Sequence, residues 1–149
     1  MAALNRFISR SADRCRPFFL LLHKWKEFEW FEECVVAFQQ LKQYLSHPPI
    51  MSSPVVDEIL FAYIAVAFYA ISFVLIQVDS GLQRPVYYVS KSLNEAGVHY
   101  LPLEKAILAM VHATRKFPHY FQAHTMVMLT QLPLKSILRN ADYTGRIAK

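Results

Sequence analysis

The stretch "ILFAYIAVAFYAISFVLI", Ile59–Ile76, constrains this chain more than any other. Its eighteen residues carry no charge and a single serine, Ser72. That length meets the criterion for a membrane-spanning helix. Its composition argues the other way, because six of the residues are β-branched and five are Phe or Tyr. Such residues favour the pleated, half-buried surface of a strand. The flanks are Asp57 and Glu58 on one side and Asp79 on the other, so no basic side is present to orient a span. Composition therefore favours sheet strands over one membrane helix, and two strands fit the length. A small membrane-associated protein anchored by residues 59–76 is the alternative.

The rest of the chain supplies elements for such a sheet. Leu4, Phe7 and Ile8 recur at helical spacing, which predicts a short amphipathic helix over residues 2–14 ended by Pro17, with another over 18–24. The segment "FEWFEECVVAFQQLKQYLSHPPI" sets Trp30, Cys34, Phe38, Leu41 and Leu45 on one face, with Glu32 and Glu33 in the first turn. Acids there complement the helix dipole, although Phe31 offers no cap. Residues 46–56 hold three prolines and three serines and read as a linker. Asp79-Ser80-Gly81 signals a turn, and Val86–Val89 has strand composition. Pro102 opens a helix expected to place Leu103, Ile107, Met110, Val111 and Thr114 along one side, with Pro118 ending or kinking it near Phe117. "HTMVMLT" reads as a further strand, "LPLKSIL" as a helical turn, and "NADYTGRIAK" as the start of a helix. The pattern is α/β: helices, then a three-strand meander, then helix–strand–helix.

Sixteen basic against eleven acidic side chains give +5, an excess that suits polyanionic partners without dictating a fold. Cys15 and Cys34 lack metal-ligand or CxxC spacing, which predicts reduced thiols in an intracellular protein. Arg6, Arg10, Arg14 and Arg16 give the N-terminus a faint transit-peptide character, but the apolar run Phe18–Leu22 is too short for a secretory core. Six histidines are scattered, and His119 with His124 lacks a third ligand.

The blocks "RPVYYVSKSL", "HYLPLEKAILAMVHATRKFPHYFQAH" and "LTQLPLKSILRNADYTGRIAK", with "FEECVVAFQQLKQYLSHPPI" before them, resemble the Pol polyprotein of gypsy-type LTR retrotransposons, plant elements in particular. The resemblance implies the end of a reverse transcriptase thumb over residues 1–48, a linker over 49–56, and a ribonuclease H-like domain over 57–149 whose last strand and helix are missing. In that family two Mg²⁺ ions held by convergent carboxylates hydrolyse the RNA strand of an RNA–DNA hybrid. Laid against the family's patterns, its first-strand aspartate falls on Ala65, its helix glutamate on Ala106, and the aspartate of its T-D-H segment on Gln131. A fourth acid would lie past Lys149.

No metal site and no cofactor are therefore expected for this chain. Glu104 survives nearby, but two residues along a helix is about 200° around its axis, so it faces away from Ala106. The expectation is a catalytically dead structural or nucleic-acid-binding remnant, whose partners are an RNA–DNA hybrid and the rest of the polyprotein. Candidate phosphate contacts are Lys105, Arg115, Lys116, Lys135, Arg139, Arg146 and Lys149, with Tyr87, Tyr88, Tyr120 and Phe121 as candidate stacking residues. The competing reading of these residues is solvated charge and core aromatics.

Overall fold

The computed structural model describes residues 2–23 and 29–134. The apolar run forms two antiparallel strands, β1 (Ile59–Val66) and β2 (Ala70–Asp79). No described helix is long and apolar enough to cross a membrane. The reversal at residues 67–69 contains no glycine, and one local and two long-range hydrogen bonds hold it. Ala67 N–H bonds to the Ala70 carbonyl at 2.9 Å, Leu93 N–H to the Tyr69 carbonyl at 2.8 Å, and the Lys105 ammonium to the Phe68 carbonyl at 2.9 Å. Each satisfies a backbone group that the apolar loop residues leave to be paired elsewhere.

A second hairpin leads into β3 (Leu82–Ser92). Ser80 and Gly81 both adopt positive φ, 51° and 82°, as a two-residue turn between twisted strands requires. After β3 come α4 (Glu95–Val98), α5 (Pro102–Lys116), α6 (Pro118–Ala123) and β4 (Thr125–Leu129). Pro118 separates α5 from α6 at Phe117, as expected. β4 pairs parallel to β1, giving the order β3-β2-β1-β4. β1 thus lies inside the sheet, with an antiparallel partner on one side and a parallel one on the other. The "LPLKSIL" and "NADYTGRIAK" segments lie outside the described residues from residue 135 on.

One face of the sheet packs on α5 and α6. Leu60, Ala62, Phe73, Leu75, Val86 and Val89 form its core with Ala113 and Phe117. The side of α5 that packs here is not the one expected. Ala106, Ala109 and Ala113 are buried, whereas Val111 and Thr114 are exposed. Alanines let the helix axis approach the strands, and larger residues would hold it away.

The other face of β2 and β3 is covered by the N-terminal segment. Residues 2–14 do not form one helix: a 3₁₀ turn spans Ala2–Phe7, and α1 covers Ser11–Arg14. The break is at Arg10, in left-handed conformation at φ 51°, with its guanidinium paired to Asp13 at 2.9 Å. Ala12 N–H donates to Ser90 Oγ at 3.1 Å, and Ser90 and Ser72 share a hydroxyl contact of 2.9 Å. Pro17 is the second residue of α2 (Arg16–His23) and so opens a helix, where its missing N–H costs nothing.

The remaining helix, α3 (Glu32–Ser46), stops before His47-Pro48-Pro49 as expected. Its packing is rotated from expectation. Cys34 and Ala37 are buried with Leu41 and Tyr44 half-buried, while Trp30, Phe38 and Leu45 are exposed. The Tyr44 hydroxyl sets this rotation by donating to the Phe7 carbonyl and accepting from Ser9 N–H, both at 3.2 Å.

Candidate nucleic-acid interface

At the C-terminal ends of β1 and β4 the sheet opens into a cleft of about 950 Å³. Parallel pairing of Tyr63 with Leu129 brings the segments that follow, 64–66 and 130–132, side by side. The first turn of α5 closes a third side. Ala65, Gln131 and Lys105 all line this cleft, joined by Tyr63, Phe68 and Thr130. Ala106 is fully buried one residue beyond Lys105, beneath the same turn of α5. Of the three positions picked out for metal carboxylates, Ala65 and Gln131 therefore share the cleft wall, whereas Ala106 is buried behind it, and none carries a carboxylate.

The donor set does not fit a pair of Mg²⁺ ions. Alanine offers no ligand atom, and a neutral amide at Gln131 cannot offset a dication's charge. Among the described residues no group of three His, Cys, Asp or Glu side chains is placed to hold a metal. Glu104 turns to its own helix end, its carboxylate accepting from Leu101 N–H at 2.9 Å. The exposed neighbourhood of Asp79 is the β2–β3 turn at the opposite end of β2 from the cleft. Asp142 lies outside the described residues.

The basic candidates divide between two ends of α5. Lys105 is 5% exposed, so it is no solvated surface lysine. Its ammonium donates to the Phe68 and Ala67 carbonyls at 2.9 and 3.4 Å and lies 5.3 Å from the centre of the Phe68 ring. Arg115 and Lys116 are exposed in the last turn, about 15 Å farther along the axis. There they form a positive group with Lys91 around His112. Burial, followed by the charges of Lys91, Lys116 and Arg115, lowers the His112 pKa below its ordinary 6.5. Lys135, Arg139, Arg146 and Lys149 lie outside the described residues.

The aromatic candidates are mostly core. Tyr87 meets Phe117 edge-on at 4.5 Å between ring centres, and Tyr120 and Phe121 pack against the same cluster. Tyr88 is half-buried; burial, followed by the Tyr44 hydroxyl, raises its pKa. Sequence reasoning missed Tyr63, Phe68 and Thr130. A threonine beside the expected carboxylate position was visible, but only the β1–β4 register, which pairs Tyr63 with Leu129, brings it alongside the segment after β1.

Residues 30–128 match the family model described as the RNase H-like domain found in reverse transcriptase. The chain is 30% identical over 117 residues to the retrovirus-related Pol polyprotein of transposon 297 from Drosophila melanogaster, covering 78% of this chain and 11% of that one. The corresponding polyprotein of transposon 412 from the same organism is 27% identical over 146 residues, 97% of this chain and 12% of the polyprotein. The Tf2-3 polyprotein of Schizosaccharomyces pombe (strain 972 / ATCC 24843) is 25% identical over 145 residues, 97% and 10%. The chain thus spans about a tenth of the length of these curated relatives.

Among solved structures, the foamy viral protease-reverse transcriptase in complex with dsDNA superposes with a TM-score of 0.72 at 15% identity, over 93% of this chain and 29% of that one. The same enzyme with an RNA/DNA hybrid gives 0.66 at 14%, over 96% and 25%. These likenesses bear on fold alone, and they agree with the mixed sheet and preceding helices found here. The chain belongs to the RNase H-like domains found in reverse transcriptases and is a segment of retrotransposon Pol type.

Proposed function

We propose that this chain serves a retrotransposon polyprotein inside the cell as a non-hydrolytic domain that holds an RNA–DNA hybrid behind the polymerase. One observation carries the reading: Ala65 and Gln131, where the resemblance sets carboxylates, line one cleft together with Lys105, and Ala106 is buried next to that lysine. Two-metal hydrolysis requires hard, charged oxygen ligands, and this cleft has a lysine ammonium instead. The net charge of +5 and the positive group at the far end of α5 favour a polyanion. In this reading residues 1–48 are the end of the reverse transcriptase thumb, 49–56 a linker and 57–149 the hybrid-binding domain. Buried Cys15 and Cys34, neither in a disulfide, suit a reducing compartment.

The test is a titration of the purified chain against a labelled RNA–DNA hybrid with Mg²⁺ or Mn²⁺, followed across a salt series and on a denaturing gel. The expected outcome is binding that weakens steeply with salt while the RNA stays intact. Cleavage that EDTA abolishes would overturn the proposal.

A further inference from the structure

The disagreement between the cleft and a metal pair has a chemical sign. Lys105 is 5% exposed, yet no carboxylate of the described residues contacts its ammonium. Among the described residues the one ion pair is Arg10–Asp13, on the α1 side of the molecule. A buried charge without a counter-ion is costly. Here it stands at the wall of an open cleft, where a ligand can supply the missing charge. Two of the three ammonium N–H groups are directed at the Phe68 and Ala67 carbonyls, leaving a third.

The polar groups nearby are donors as well. Thr130 Oγ1 already accepts from Leu132 N–H at 3.1 Å, so its own proton is left to give. The Tyr63 hydroxyl is not one of them, since it accepts from Gln83 Nε2 at 3.0 Å toward the β2–β3 turn. Gln131 adds an exposed amide. A cation with the Thr130 and Gln131 donors, and no acidic group among the described lining residues, matches the acceptor oxygens of a phosphate and repels a metal ion.

We infer that the cleft at the ends of β1 and β4 seats one backbone phosphate of a nucleic-acid strand directly on the Lys105 ammonium, at the place where the family's donor pattern would set metal ions. This rests on the reading of the domain as a hybrid-binding unit and names the site and group that do the binding. The seated phosphate meets no activated water, so contact is made without hydrolysis.

The experiment compares wild type, Lys105→Gln and Ala65→Asp for binding to a labelled RNA–DNA hybrid across a salt series, with thermal melting of each. Ala65 is exposed, so the aspartate adds a negative charge to the cleft without disturbing the core. Both substitutions are expected to weaken hybrid binding about tenfold. Lys105→Gln is also expected to make the log–log salt dependence shallower by about one phosphate contact. Unchanged affinity and slope in both variants, with only a lower melting temperature for Lys105→Gln, would overturn the inference and leave this lysine as a clamp on the β1–β2 hairpin.

If wild type binds no hybrid, the hybrid-binding reading fails, and the site is judged separately with inorganic phosphate. In a chain labelled at lysine ζ-¹⁵N, a Lys105 shift at millimolar phosphate that Ala65→Asp abolishes upholds a phosphate seat. No shift overturns it.

Discussion

Helices α3 and α5 are the same length, fifteen residues, and both look amphipathic in sequence, yet the molecule treats them differently. α5 lies against the sheet with Ala106, Ala109 and Ala113 buried and its C-terminal boundary residue Phe117 in the core. α3 buries Cys34 and Ala37 and turns Val35, Val36 and Phe38 outward, 38%, 46% and 47% exposed. Part of each expected apolar stripe is therefore turned outward, while Leu103, Ile107 and Met110 of α5 and Leu41 of α3 are only half-buried. Contact falls to small residues, because a helix held close to its support has room for little else.

The sharpest way to break this contrast is to truncate one aromatic on each side of it. Phe73, beneath α5 and 2% exposed, touches Phe117 and Phe121. Phe73→Ala is expected to cost about 3–5 kcal/mol in denaturant unfolding. Phe38→Ala on α3 is expected to stay within about 0.5 kcal/mol, and a loss near that of Phe73→Ala would show that α3 packs more tightly than described. A smaller effect follows from enlarging the close contact. Ala109→Leu in α5 is expected to destabilise by about 1–3 kcal/mol through overpacking. Leu at Ala37, the corresponding small buried site of α3, is expected to cost less, because the helix has fewer neighbours to displace. Equal losses would erase the distinction.

The smallest effect is one of pH. His112 sits on α5 among Lys91, Arg115 and Lys116, and its folded-state pKa is lowered by burial first and by those charges second. The unfolded chain therefore binds a proton near pH 6.5 that the folded chain resists. Stability should fall as pH drops through 6.5 toward the lowered value, and it should be indifferent to His112 above that window. Melting from pH 7.5 to pH 5.5 checks this. His112→Gln is expected to flatten the decline, and an unchanged decline would place its origin elsewhere.

Much of the architecture was legible in local pattern. Ile59–Ile76 declared two strands by its β-branched and aromatic content, Ser80-Gly81 declared a turn, and Pro102 and Pro118 bounded α5. The assignment of carboxylate positions to Ala65, Ala106 and Gln131 rests on resemblance, not on periodicity. The misreadings share one cause. Residues 2–14 break at Arg10, and α3 and α5 rotate, because contacts with residues far away in sequence decide which side of a helix faces inward: Tyr44 with Phe7 and Ser9, Ala12 with Ser90.

What the sequence by itself determined is the order of most elements, since that depends on residue type and spacing along the chain. What only the tertiary structure decided is the meaning of Lys105. In sequence it is one more base in an α5 first turn. In the folded chain the β1–β2 reversal brings two carbonyls to its ammonium, and the β1–β4 register sets Thr130 and Gln131 across from it. A charge acquires a role only when folding fixes its distance from other groups and removes the water between them.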